Sequence, residues 1–168
     1  MLELTEQYIP EKFLFREEQV KKIKDTFTEF KKTKISTNLI LLGTTGAGKT
    51  SVLKRIIQDN NNTIFVSCSE HKSTNKILRF LSGKSYHCDS DLQKALVEQL
   101  KDNPKILIID EVGKINDMEN FCNTINTIYR ETNVPIILAT NKWTFIQEMP
   151  DDARLTLFFN RVEFPYYD

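Results

Sequence analysis

The sequence has no excess of either charge: 23 Lys and Arg stand against 23 Asp and Glu. That excludes a whole-chain basic field, the simplest device for holding nucleic acid. A local patch stays open, since residues 12–34 carry eight Lys/Arg against four Asp/Glu, a run that reads first as a solvated helix face. No stretch approaches the ~20 apolar residues of a membrane-spanning helix. The opening residues, MLELTEQYIPEKF, lack the basic start and apolar run of a secretory signal. The three cysteines, Cys68, Cys88 and Cys122, are far apart and odd in number. This suits a reducing cytoplasm and offers no C-x-x-C pair for a metal. Repeats and low-complexity segments are absent. What is present is globular: 168 residues, 40% hydrophobic and 27% charged, enough for one domain with a full core.

Short apolar runs alternate with helical patterns. Val20, Ile23, Phe27 and Phe30 mark an opening helix that begins near Arg16. Asn38–Leu42, Thr63–Ser67, Lys105–Ile109, Pro135–Ala139 and Arg161–Phe164 read as strands. Between them the 3.6-residue period predicts helices over Lys49–Asp59, Ser73–Leu81 and Asp91–Lys101, and another carrying Met118, Phe121, Cys122, Ile125, Ile128 and Tyr129. Strands that are apolar throughout and separated by helices imply a parallel sheet covered on both faces. The expected class is α/β, in three layers.

Three segments carry chemistry. Gly43-Thr44-Thr45-Gly46-Ala47-Gly48-Lys49-Thr50 fits G-x-x-x-x-G-K-[ST] at every fixed position. A strand stands directly before it and a helix, continuing through Ser51, directly after. Its glycines let successive backbone N–H groups turn toward phosphate oxygens, and the helix adds its positive end. Lys49 is expected to reach β- and γ-phosphates, and the Thr50 hydroxyl to coordinate Mg²⁺. The second segment is Asp110-Glu111, at the carboxyl end of KILII, where open α/β sheets bind ligands. Asp110 is placed to hold Mg²⁺ through water, and Glu111 to orient and deprotonate an attacking water. The third is Asn141, which ends another core strand and can hold a γ-phosphate oxygen and the water. A rival fit exists: Asp110-Glu-Val-Gly113 and Asn141-Lys142-Trp143-Thr144 echo the GTPase motifs D-x-x-G and N-K-x-D. Thr144 stands where guanine recognition needs a carboxylate. The two segments are also only 31 positions apart, short for that class. ATP is therefore the expected nucleotide.

With these motifs in place, the chain resembles the AAA+ ATPases, and within them the origin-recognition-complex type of replication initiator of archaea and eukaryotes. Tyr8-Ile9-Pro10 and Phe15-Arg16-Glu17-Glu18 resemble that family's lead-in to its first helix. Gly43–Thr50 resembles its Walker A motif, Asp110-Glu111 its Walker B motif, and Ala139-Thr140-Asn141 its first sensor. Asp152-Ala153-Arg154 with Val162-Glu163-Phe164-Pro165-Tyr166 resembles its arginine-finger segment and last core strand.

The resemblance implies a P-loop NTPase three-layer sandwich whose five-stranded parallel sheet has the order five-one-four-three-two. It implies a single AAA+ nucleotide-binding domain over residues 1–168, with residues 1–15 leading in beside the adenine, so that Tyr8, Ile9 and Arg16 flank the base. Arg154 would reach the nucleotide of a neighbouring subunit, with Arg161 as its competitor. The implied activity is Mg-dependent ATP hydrolysis in DNA replication and origin recognition, in the cytoplasm or nucleoid, with the site completed by self-association or by a related AAA+ subunit. DNA would be held only weakly through this domain. The family's helical lid and winged-helix DNA-binding domain are not among these residues. An AAA+ regulator of transposition or plasmid maintenance, a switch that binds ATP and hardly hydrolyses it, and a GTPase remain as alternatives.

Overall fold

Interior strands of a parallel sheet must be apolar on both faces, and three of these strands are buried at every position. The computed structural model describes residues 15–166, and within them the chain runs α1 (Glu17–Thr33), β1 (Leu39–Gly43), α2 (Lys49–Gln58), β2 (Thr63–Ser67), α3 (Thr74–Ser82), α4 (Asp89–Asp102), β3 (Ile106–Asp110), a 3-10 turn (Val112–Lys114), α5 (Met118–Thr132), β4 (Ile136–Thr140), α6 (Phe145–Glu148), α7 (Asp151–Leu157) and β5 (Asn160–Phe164). All pairings are parallel, in the order β2-β3-β4-β1-β5. Read from the other edge, this is the expected five-one-four-three-two. The fully buried strands are β1, β3 and β4, whereas the edge strands β2 and β5 keep partly exposed positions. Helices on both faces supply that cover.

Helix α1 follows its apolar stripe. Ile23, Phe27 and Phe30 are buried, and each contributes about 1.5–3 kcal/mol relative to exposure. The helix stops at Lys34, whose φ of 61° is left-handed and whose N–H caps the Phe30 carbonyl. At the amino-terminal end of the sheet sits a polar residue read as part of a strand. Asn38 is 2% exposed; its amide donates to the Leu157 carbonyl at 2.7 Å and its side-chain oxygen accepts from Ile136 N–H at 2.8 Å. One side chain thus joins β1, β4 and α7.

Two short helices stand between β4 and β5. Phe145 and Met149 bury α6, and Ala153 and Leu157 bury α7. The α7 helix begins after Pro150, with Asp151 and Asp152 in its first turn, where carboxylates suit the positive end of the dipole. Asp152 also fastens it to α5, accepting from Arg130 at 2.7 and 2.8 Å and from Asn126 at 3.2 Å.

The register decides what the sheet presents at its carboxyl edge. Leu42 lies opposite Thr140 and Ser67 opposite Asp110, so Gly43, Ser67, Asp110 and Thr140 end their strands side by side.

Candidate nucleotide-binding and catalytic site

A cavity of about 270 Å³ opens at that edge. The expected residues Thr45, Gly46, Gly48, Lys49, Thr50 and Ser51 line one side, and Asp110, Glu111 and Asn141 the other. Thr44 and the buried Gly43 and Ala47 do not line it. Gly43 is crowded: a Cβ built there would lie 2.7 Å from the Phe164 carbonyl oxygen, so only glycine lets β1 pass into the loop beside β5. Gly46 and Gly48 have φ values of 85° and 93°, which glycine adopts without penalty.

Lys49 is buried, and its ammonium donates to the carbonyls of Gly43 at 2.6 Å and Thr44 at 3.0 Å. Burial lowers its pKa, while the charges of Asp110 and Glu111 act the other way. The Thr50 hydroxyl donates to Asp110 Oδ2 at 2.5 Å, bringing together the two groups expected at Mg²⁺. Asp110 is 2% exposed. Burial raises its pKa against the opposing hydrogen bonds from Thr50 and the Glu111 amide. The Asn141 amide donates to the Thr45 hydroxyl at 3.1 Å, bridging β4 to the loop.

Glu111 takes a left-handed backbone, with φ 53° and ψ 43°. This costs a non-glycine residue of order 1 kcal/mol and recurs at functional sites. Its carboxylate accepts from Ser67 at 3.1 Å and pairs with Lys114 at 3.3 Å. Ser69, Lys114 and Ser67 together hold its pKa below the usual value against partial burial. Sequence reading missed Ser67, Ser69 and Lys114. The available signals were a serine ending the strand TIFVS and a lysine three residues after Glu111. Cys68 is buried beside this pair of carboxylates and its thiol is pushed up to about 12, which leaves it inert at neutral pH.

The arrangement fits a nucleotide triphosphate with its metal. A glycine loop precedes a helix N-terminus, a buried ammonium rests on its own loop's carbonyls, and a hydroxyl–carboxylate pair stands opposite. The Thr44 hydroxyl is buried with no protein partner. Among the described residues no cluster of three His, Cys, Asp or Glu side chains that could hold a metal ion exists.

The other expected residues lie elsewhere. Arg154, on α7, is outside the cavity and pairs with Asp151 at 2.6 Å. Arg161 is exposed on β5. Arg16, expected beside the adenine, is buried and does not line the cavity. Tyr8 and Ile9 lie outside the described residues.

A five-stranded parallel sheet in this order, with a glycine loop leaving β1 and carboxylates ending β3, defines a P-loop nucleotide-binding fold of the AAA+ arrangement. The family model described as AAA domain matches residues 34–144, so the chain belongs to that family. It is homologous to ORC1-type DNA replication proteins of archaea. It is 25% identical to one from Thermoplasma volcanium over 98% of this chain and 46% of that protein. It is 23% identical to ORC1-type DNA replication protein 1 of Sulfurisphaera tokodaii over 98% and 47%. The chain thus spans about half the length of these relatives. The fold is that of Aeropyrum pernix ORC1, solved in complex with DNA (TM-score 0.84, 19% identity, 99% of this chain and 49% of that one). It is also that of Aeropyrum pernix ORC2, solved as ADPNP and ADP complexes (TM-score 0.78, 16% identity, 97% and 51%).

Proposed function

We propose that this domain binds Mg·ATP and hydrolyses it as the nucleotide-binding core of a replication initiator-like ATPase. The observation that carries the reading is the meeting of Lys49, Thr50, Asp110, Glu111 and Asn141 around one cavity. Lys49 exchanges its loop carbonyls for the β- and γ-phosphates and offsets charge in the transition state. Thr50 and Asp110 would hold Mg²⁺, which would supply positive charge against the triphosphate. Glu111 takes the proton of the attacking water, and Asn141 positions that water against the γ-phosphate.

Two observations favour adenine nucleotides over guanine nucleotides. Asn141 is turned to the phosphate loop through Thr45. Thr144, in the guanine-reading position, stands at the N-terminal boundary of α6, and its hydroxyl donates to Glu148 at 3.2 Å. Displacement of a fluorescent ATP analogue by ATP and by GTP tests this directly: ATP should displace at far lower concentration, and equal displacement would overturn the adenine reading. Titrating the same samples with duplex DNA at rising salt should show only weak, salt-sensitive binding, as zero net charge implies. A nanomolar complex at physiological salt would contradict that.

The neighbour-completed site rests on Arg154. Its pairing with Asp151 is half-exposed and is worth only about 0–1 kcal/mol, so the guanidinium can leave it for a stronger partner. Arg154→Ala should keep monomer ATP affinity and lose hydrolysis only where subunits assemble. Mixing it with Lys49→Ala should restore activity, because an intact pocket then faces an intact Arg154. No restoration in a confirmed assembly, or full activity of Arg154→Ala there, would remove Arg154 from the role and turn attention to Arg161. Among the described residues no helix is long and apolar enough to cross a membrane.

A further inference from the structure

Arg16 is a buried charge that the phosphate site itself does not use. It is 1% exposed, the largest fully buried side chain among the described residues, and arginine is almost never buried unless its donors are matched. It stands just before α1. Nε donates to the Ala47 carbonyl at 3.2 Å, the guanidinium also donates to the Pro165 carbonyl just past β5, and its carbon lies 5.4 Å from the centre of the Phe164 ring. The start of the phosphate loop rests on the same residue, since a Cβ on Gly43 would come within 2.8 Å of Phe164 Cβ.

A trans peptide is planar, so its C=O and its N–H point in opposite directions. The Ala47 carbonyl is turned outward to the guanidinium. The N–H of the same peptide, that of Gly48, is therefore turned the other way, to the side where Gly48 lines the cavity. Gly46 and Gly48 flank this region with positive φ, and glycine allows the backbone either orientation. The glycines alone do not select one.

We propose that Arg16 is a positioning residue of the phosphate loop: from outside the cavity it holds the Ala47–Gly48 peptide with its N–H facing the phosphates, and through Pro165 it ties that peptide to the point where the chain leaves β5. The assignment rests on the nucleotide reading above and deepens it. It places Arg16 at the back of the loop, outside the cavity, rather than beside the base. Lysine would replace it only in part, because a single ammonium lacks the fork that spans two carbonyls.

The test compares wild type, Arg16→Met and Arg16→Lys by thermal unfolding, by titration with ATP well below every melting transition, and by the NMR shift and exchange rate of the Gly48 amide without nucleotide. Folded Arg16→Met should bind ATP more weakly by on the order of tenfold. Its nucleotide-free Gly48 amide should shift and exchange faster, with Arg16→Lys in between. A merely structural arginine would lower the melting temperature and leave both readouts unchanged in the folded protein, and that result overturns the proposal. If Arg16→Met does not fold, Arg16→Lys decides on the same readouts: partial loss supports the proposal and wild-type behaviour refutes it. If wild type itself does not bind ATP, the nucleotide reading falls, while the nucleotide-free Gly48 amide still settles the role of Arg16.

Discussion

Lys49→Ala should reduce ATP affinity by about thirtyfold to several thousandfold while leaving the domain folded. The ammonium is buried in the cavity wall and lies under the influence of Asp110 and Glu111. Removing one partner of a buried, charge-assisted contact costs about 2–5 kcal/mol, and 1.4 kcal/mol is about tenfold in affinity. No other lysine or arginine lies in the loop Gly43–Thr50, and Lys114, across the cavity, is engaged with Glu111. The loss to the nucleotide-free protein should be smaller. Gly43 and Thr44 lose a donor to their carbonyls, but burial already disfavours the charged lysine, so its removal also lifts a desolvation cost. Ligand-induced stabilisation reads both effects at once. Saturating ATP at about a hundred times its dissociation constant should stabilise wild type by about 2.7 kcal/mol, seen as a higher melting temperature. At the same ATP concentration the mutant should keep less than about 1 kcal/mol of that stabilisation. Equal shifts and equal titration curves would remove Lys49 from the phosphates and sink the P-loop assignment.

The sheet's apolar strands were readable because burial on both faces leaves an uninterrupted run, as in Lys105–Ile109, whereas their order came only from the family resemblance. Their ends were displaced in a consistent way. The strand read as Asn38–Leu42 is Leu39–Gly43, that read as Lys105–Ile109 is Ile106–Asp110, and that read as Pro135–Ala139 is Ile136–Thr140. Hydropathy marks burial, whereas a strand is bounded by its hydrogen-bond ladder. That ladder continues one residue further, onto the glycine or polar residue that ends the strand beside the cavity. At the other end, Asn38 spends its side chain on clamping neighbours and Pro135 has no N–H to give.

The two short helices left little trace. Each has one or two turns, and on α7 the apolar Leu155 is 74% exposed, so its run does not report a buried face. The candidate site was legible down to its motifs because glycine, lysine and carboxylate spacing is local. Contacts between motifs were not. Ser67 meets Glu111 only because β2 lies next to β3, and Asn141 meets Thr45 only because β4 lies next to β1. Arg16 shows the limit most clearly, since its partners are 31 and 149 positions away.

Glu111→Gln should bind Mg·ATP as wild type does and hydrolyse it at least about a hundredfold more slowly, within the 10²–10⁴ range of general-base contributions. Glutamine keeps the length and the hydrogen-bonding oxygen, so the contact with Ser67 at 3.1 Å can persist. It loses the ion pair with Lys114, which is half-exposed and contributes at most about 1 kcal/mol. The fold should therefore survive. What the amide cannot do is accept the water's proton. In wild type the hydrogen bond from Ser69, with further help from Lys114 and Ser67, holds the carboxyl below its usual pKa, so it is ionised at neutral pH and ready for that task. The left-handed backbone at Glu111 belongs to the main chain and is common to both proteins, so the comparison isolates the side chain. Single-turnover hydrolysis and ATP titration, measured side by side under assembling conditions, separate the outcomes. Retained binding with lost turnover makes Glu111 the base. Lost binding in a folded mutant would make it a ligand or a support for the cavity wall, and unchanged turnover would pass the role to another group.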